Sequence, residues 1–192
     1  MGIKWFLSWV LVYPLLKLLT GLEIQGRIPR TGPLIIAANH VSFLDPPVVG
    51  LTACRETHFL AKPGLFKTSK FFTWLITTYN AISLEGPGGI RKAIRLLRGG
   101  GALVIFPEGT RSRKKMILPF HPGVGYLAIN YGVPVVPVYI ANSNKRFISL
   151  VLRIHKLKIK CGKIIFPHGY KKTREDFARF AERIREEILR LK

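Results

Sequence analysis

An α/β domain, with a mixed and mostly parallel central sheet flanked by helices, is the fold that the sequence predicts. Three observations lead to it. Past Gly21, short apolar runs of strand type alternate with stretches of helical spacing. Two of those runs, at 34–38 and 102–106, end abruptly in polar segments that carry Pro or Gly. No Pro-, Gly- or Ser-rich linker divides the chain, and its 192 residues suffice for one substantial core but are short for two.

Residues 1–20 read as a helical segment of their own, ahead of a domain at 21–192. The twelve residues from Trp5 to Leu16 carry no charge and are flanked by Lys4 and Lys17. As a helix they span only ~18 Å, short of the ~30 Å of a bilayer core. Pro14 predicts a kink, and Trp5, Trp9 and Tyr13 are side chains that favour the interface between lipid and water. The segment is therefore read as a membrane-dipping anchor, with a buried core helix as the alternative. A cleaved signal peptide fits less well, because Leu18-Leu19-Thr20-Gly21 offers no small-x-small site, and Phe6 breaks the myristoylation pattern after Gly2.

In the domain, strands are predicted at 34–38, 57–61, 81–84, 102–106, 135–140 and within 159–166. Helices are predicted to start after Asp45, near Thr68, near Gly89 and near Gly123. The last helix is the clearest. Phe177, Phe180, Ala181, Ile184, Ile188 and Leu191 recur at helical intervals, and Thr173 and Asp176 suit its capping region.

Composition bounds the partners. The chain carries 31 Lys and Arg against 10 Asp and Glu, a net charge of +21, while 48% of it is hydrophobic, which excludes a disordered basic tail. Residues 91–192 hold 23 of the basic and 6 of the acidic side chains. Such a charge points to nucleic acid or to anionic membrane lipid, or is an ordinary solvated surface; the apolar excess favours lipid. Cys54 and Cys161 are far apart and form no Cys-x-x-Cys pair, so neither a zinc ribbon nor a redox motif is expected, and both read as buried or free thiols.

The first chemical constellation follows the strand at 34–38: Asn39-His40-Val41-Ser42-Phe43-Leu44-Asp45-Pro46-Pro47. On one straight helix His40 and Asp45 would stand about 140° apart and would not meet. Asp45 followed by two prolines reads instead as a helix N-cap, which leaves 39–44 as a loop able to fold His40 back onto the carboxylate. That pairing fixes the imidazole tautomer, as a general base acting on a hydroxyl requires. The plainer alternative is a helix cap beside a satisfied loop histidine. The second constellation follows the strand at 102–106: Pro107-Glu108-Gly109-Thr110-Arg111-Ser112, then Arg113-Lys114-Lys115. Pro107 ends the strand, Gly109 permits a tight turn, and Arg111 offers a planar fork to phosphate; a solvated basic turn is the alternative.

Together the two segments resemble the glycerolipid acyltransferases, specifically the 1-acyl-glycerol-3-phosphate (lysophosphatidate) acyltransferase family. That family carries Asn-His-x-x-x-x-Asp and, some tens of residues later, Phe-Pro-Glu-Gly-Thr-Arg-Ser. Both motifs stand intact here and in order. The run Gly32-Pro33-Leu34-Ile35-Ile36-Ala37-Ala38 and the later Val133-Pro134-Val135-Val136-Pro137-Val138 are similar to the family too, so the resemblance covers about residues 20–140. What it implies is an O-acyltransferase that moves an acyl group from a thioester, acyl-CoA or acyl-ACP, to the 2-hydroxyl of 1-acyl-glycerol-3-phosphate. The product would be phosphatidic acid for phospholipid biosynthesis, made at the cytoplasmic face of the cell membrane. The resemblance also implies His40 as the base and Asp45 as its partner, with Asn39, Glu108, Gly109, Thr110 and Arg111 shaping the acceptor site. No metal and no cofactor are expected.

The sequence departs from the family in two places. Where members usually carry Gly-x-Ile-x-x-x-Arg between the motifs, this chain has Asn80-Ala81-Ile82-Ser83-Leu84-Glu85-Gly86, so Gly86 stands at the arginine position. The stretch Gly86-Pro87-Gly88-Gly89-Ile90-Arg91-Lys92 is expected to compensate, as a glycine-rich turn opening a helix whose amides, with Arg91 or Lys92, receive phosphate. A merely flexible turn is the alternative. His121 stands where the family often has lysine, and reads as a loop histidine or a second polar contact. Three other readings compete: a different lysolipid acceptor, a lipid-binding relative without turnover, and a nucleic-acid-binding module built on 111–115. The last lacks a helix-turn-helix or RNP pattern, so no nucleic acid is expected as partner. The aromatic-rich stretch Phe66, Phe71, Phe72 and Trp74, bordered by Lys62, Lys67 and Lys70, reads as core packing, a second membrane-facing surface or a flank of the acyl channel.

Overall fold

The computed structural model describes residues 2–112 and 116–192, with Phe147 by its backbone alone. The basic run Arg113-Lys114-Lys115 lies outside the described residues. Seven strands form one sheet: β1 (Glu23–Gln25), β2 (Leu34–Ala38), β3 (Thr57–Ala61), β4 (Ala81–Ser83), β5 (Ala102–Ile105), β6 (Val135–Ala141) and β7 (Lys158–Cys161). Their spatial order is β1-β7-β6-β2-β5-β3-β4, and every pairing is parallel except β6 with β7. The sheet is thus mixed and mostly parallel, as the sequence predicts.

A parallel sheet must be covered on both faces, because the crossover connections lay helices on each side. Strand β2 is buried at all five positions, which is why it reads as an unbroken apolar run. Ile35, Ala37, Leu103 and Ile105 face one layer, made of α5 (Gly86–Arg98), α6 (Gly123–Tyr131) and α8 (Arg174–Arg190). Leu34, Ile36, Ala38 and Val104 face the other, together with Val48 and Val49 of α3 (Asp45–Thr52), Leu150 of α7 (Phe147–Val151) and Trp5. Helix α8 keeps its predicted seam: Phe180, Ala181, Ile184 and Ile188 are fully buried, and the Thr173 hydroxyl caps it by accepting from the Asp176 N–H at 3.2 Å.

The N-terminal segment is longer than its uncharged stretch predicts. Helix α1 (Ile3–Leu7), a π-helical turn at Ser8–Val12 and α2 (Tyr13–Thr20) run on without a break, 18 residues in all. Pro14 has no N–H to give, and the Tyr13 N–H reaches back five residues to the Ser8 carbonyl, so the proline is absorbed by widening one turn. Lys4 does not end the helix, because its ammonium is bound by the Thr78 carbonyl and by Asn80 Oδ1. One side of the helix is docked: Trp5 is buried edge-on to Tyr79, Ser8 Oγ bonds the Tyr79 hydroxyl at 2.8 Å, and Trp9 Nε1 donates to the Leu51 carbonyl at 3.1 Å. The other side leaves Ile3, Phe6, Leu7, Val10, Leu11, Leu15 and Leu18 exposed. One face of the segment is thus packed as the core-helix reading expects, and the other is apolar and exposed.

Several elements differ from the sequence reading. Asp45 is the first residue of α3 rather than its cap, and its carboxylate serves amides on its N-terminal side. The helix expected near Thr68 is α4 (Lys70–Thr78), capped by Ser69 and preceded by a 3-10 turn at Pro63–Lys67. The expected strand within 159–166 breaks at Gly162, after which Ile165 makes a single bridge to Val135. Helix α5 starts at Gly86, ahead of the expected Gly89, and strand β1 and helix α7 were too short to predict.

Helices α6 and α8 meet at Gly125. A Cβ there would lie 2.1 Å from the Phe177 carbonyl oxygen, so backbone touches backbone. Replacing Gly125 with Ala must push the two helices apart, and a loss of about 1–3 kcal/mol in urea unfolding is expected. Unchanged stability would show that the contact is not tight in solution.

Candidate active site

Strands β2 and β5 are parallel neighbours, so the loops that leave their carboxyl ends emerge side by side, where open α/β sheets place ligands. Residues 39–45 form one loop and residues 106–112 the other. Three interactions bind the first loop to its surroundings. Asn39 is buried and pairs with Ile140 of β6 through both amide groups, donating to its carbonyl at 3.0 Å and accepting from its N–H at 2.7 Å. The His40 N–H donates to Glu108 Oε1 at 2.8 Å. The Ser112 N–H donates to the His40 carbonyl at 2.7 Å.

Within the loop, His40 Nδ1 lies 2.8 Å from Asp45 Oδ2. The same oxygen accepts from the Val41 N–H at 2.7 Å and the Ser42 N–H at 2.8 Å. Asp45 is fully buried, while the His40 side chain keeps 16% of its surface exposed. A proton on Nδ1 donates to Oδ2 and leaves the lone pair of the ring on Nε2, while Asp45 Oδ1 is buried without a partner among the described residues. The Phe106 ring stacks on the imidazole with centroids 4.3 Å apart and fixes its plane. This arrangement leaves Nε2 free to accept a proton, which is the geometry a general base requires.

Glu108 is buried, and both its oxygens are engaged: Oε1 by His40 and Oε2 by the Leu118 N–H at 2.9 Å. Burial pushes its carboxyl above the usual range, against the two amide donors and His40, which pull it down. Gly109 has φ +64°, and a Cβ there would lie 2.9 Å from the His121 ring, so only glycine fits. His121 is exposed, packs its ring on this turn, and donates its N–H to the Pro107 carbonyl at 2.9 Å. Thr110 and Arg111 are exposed, and the Arg111 guanidinium lies flat over the Phe43 ring at 3.6 Å. Phe43 in turn meets Phe72 of α4 edge-on.

The fold thus unites Asn39, His40, Asp45, Glu108 and Gly109 in one bonded cluster, with Arg111 joined to it through Phe43. Arg91 and Lys92 are exposed on α5 and make no hydrogen bond or ion pair with either loop among the described residues. Strands β2, β5, β3 and β4 are parallel, so α5 opens at the same end of the sheet as His40, three strand spacings or ~14 Å away. Gly86 has φ +60°, a conformation that an arginine would adopt only under strain. Phe43 and Phe106 are neighbours of the cluster that spacing alone did not reveal, although both lie within the two motifs.

Comparison with known proteins agrees with this geometry. The profile of the Acyltransferase family matches residues 21–141. A 1-acyl-sn-glycerol-3-phosphate acyltransferase from Borreliella burgdorferi is 28% identical over 160 residues, covering 76% of this chain and 63% of its own. A lyso-ornithine lipid O-acyltransferase from Pseudomonas aeruginosa is 32% identical over 124 residues, covering 62% of this chain and 46% of its own. The chain thus spans about half to two-thirds of the length of these two relatives. The crystal structure of the 1-acyl-sn-glycerophosphate (LPA) acyltransferase PlsC from Thermotoga maritima superposes with a TM-score of 0.69 and 27% identity, over 88% of this chain and 71% of that one. With its paired loops lying inside the matched region, this chain belongs to the acyltransferase family.

Proposed function

We propose that this chain transfers an acyl group from an acyl thioester to the free hydroxyl of 1-acyl-glycerol-3-phosphate, forming phosphatidic acid. The observation that carries the reading is the 2.8 Å contact between His40 Nδ1 and the fully buried Asp45 carboxylate. His40 Nε2 takes the hydroxyl proton as the acceptor oxygen attacks the thioester carbonyl. The C–S bond then breaks, and the thiolate leaves and collects the proton from His40, giving an ester and a free thiol. A thiolate is a good leaving group, so one base with one orienting carboxylate suffices. Asp45 holds the tautomer and stabilises the imidazolium that forms, a contribution of ~10²–10⁴ in rate for a positioned base.

In this reading Arg111, laid on Phe43 beside the His40 loop, presents its planar fork to the acceptor phosphate. Gly109 and Thr110 shape the turn that carries it. Glu108 acts as a positioning residue that ties the two loops together, and Asn39 ties the first loop to β6. Arg91 and Lys92 supply charge at the glycine-rich start of α5. The outer face of the N-terminal helix lies in the lipid–water interface of the cell membrane on its cytoplasmic side, where the anionic lipid and the acceptor are found. The donor is acyl-CoA or acyl-ACP. A second reading, a different lysolipid acceptor, is favoured by Gly86 at the usual arginine position and by the likeness to a lyso-ornithine lipid enzyme.

Three variants test these roles. His40→Ala is expected to abolish transfer from a labelled acyl thioester to lysophosphatidate, by ~10³-fold or more, in a chain that still folds; full turnover would end the reading. Glu108→Gln turns an amino group toward one of two amide donors, at either His40 or Leu118. It should cost about 1–3 kcal/mol in urea unfolding and lower turnover with it, and wild-type stability would remove Glu108 from its positioning role. Arg91→Ala with Lys92→Ala should raise KM for lysophosphatidate about tenfold and leave KM for the thioester alone. An unchanged acceptor KM would return 86–92 to an ordinary turn.

A further inference from the structure

The connection between β6 and β7, residues 142–157, leaves the sheet at the end where His40 sits, since β6 runs parallel to β2 and Ile140 is bonded by Asn39. It is an ordered element. Asn142 Nδ2 closes its base by donating to the Lys156 carbonyl at 2.8 Å, and Leu150 of α7 is fully buried in the core that also holds Trp5. Its outward side is bare and apolar: Ile148 is 57% exposed, Leu152 64% and Ile154 68%. Three large aliphatic side chains on so short a stretch are more than the scattered exposure of an ordinary surface.

The charges point the same way. Residues 142–157 include Lys145, Arg146, Arg153 and Lys156 and no Asp or Glu. Lys156 pairs with Glu23 at 2.7 Å, but Lys145, Arg146 and Arg153 form no ion pair among the described residues. The patch is also continuous with the bare face of the N-terminal helix. Helix α7 packs against α2, the Leu157 N–H donates to the Thr20 carbonyl at 3.3 Å, and Leu15 and Leu18 of α2 are exposed.

We infer that the α7 segment is a second membrane-contacting element, which inserts Ile148, Leu152 and Ile154 among the acyl chains while Arg146 and Arg153 bind anionic headgroups. This rests on the reading of the N-terminal helix as interfacial. A single helix lying in the interface leaves the domain free to roll about the helix axis. A second contact beside α2, at the His40 end of the sheet, removes that freedom and sets the catalytic loops at the lipid surface. Apolar side chains edged by cations match an anionic bilayer.

The test is sedimentation with vesicles of phosphatidylcholine alone and with about one-third phosphatidylglycerol. Ile148→Asn, Leu152→Asn and Ile154→Asn combined should weaken binding to both by roughly tenfold. Arg146→Ala with Arg153→Ala should weaken binding only to the anionic vesicles. Both variants should keep wild-type turnover on a short-chain, water-soluble acceptor; the apolar variant should lose it on acceptor in either vesicle, and the arginine variant only on acceptor in the anionic ones. A parallel variant, Phe6→Asn with Leu11→Asn, separates the two ideas. If it loses binding while the α7 variants bind like wild type, the α7 inference is overturned and the interfacial helix stands. If the wild type itself does not bind vesicles, both fall. Changed oligomeric state in the α7 variants with unchanged vesicle binding would assign the patch to a second copy of the chain and also overturn the inference.

Discussion

The Asp45 carboxylate is the constraint around which the site is organised. It is fully buried, and one of its oxygens gathers three N–H donors, from His40, Val41 and Ser42. A buried, unpaired carboxylate costs on the order of several kcal/mol, so the loop is stable only when it wraps back to supply those donors. The two prolines that follow make this the natural outcome. Pro46 and Pro47 have no N–H and the Val48 N–H is taken by the Leu44 carbonyl, so the carboxylate finds its donors in the preceding residues instead. The same wrapping sets the imidazole where it can act.

The second loop depends on the first through Glu108. Its carboxylate reaches the His40 N–H across the gap between the ends of β2 and β5 and also holds Leu118. The second loop thereby uses a buried acid to fix the backbone of the first, the His40 carbonyl accepts from the Ser112 N–H in return, and Asn39 fixes the pair to β6. Three adjacent parallel strands are thus fastened together at their carboxyl ends by side chains, where the ladder of the sheet no longer reaches. For the proposed function, such a cluster supplies the fixed geometry between His40 and Arg111 that effective positioning requires.

Much of this was legible in the sequence. The strands that carry the motifs are short apolar runs ending in Pro or Asn, and the amphipathic period of α8 is unmistakable, so the α/β class could be read directly. The pairing of His40 with Asp45 was one of two readings until the second motif was set beside it. Other features were not local enough to read. The bond between Asn39 and Ile140 joins residues 101 apart in the chain, and the stacking of Phe106 under His40 needs the sheet to exist first. Strand β1 has three residues and helix α7 five, too few to leave a period. The direction in which Asp45 caps was misread because capping usually serves the helix that follows, and here the prolines remove its donors. The missing family arginine was visible as Gly86, but its reason, a left-handed backbone, was not.

The N-terminal helix links the chemistry to its setting. Its inner face closes one side of the sheet with Trp5, Ser8 and Trp9, and burial of a side chain such as Trp5 contributes roughly 2–3 kcal/mol. Its outer face carries the aliphatic residues assigned above to lipid. Both cannot be satisfied if the helix stands upright across a bilayer, because leaving the domain would uncover the sheet and release Lys4 from Thr78 and Asn80. The interfacial placement proposed for the helix keeps its inner contacts while offering its outer face to lipid. The basic second half of the chain then contributes attraction toward an anionic surface, while the orientation of that approach is set by apolar contacts. Under the proposed function, the net charge of +21 is a long-range attraction toward anionic lipid, and the short-range geometry at His40 and Asp45 carries the chemistry.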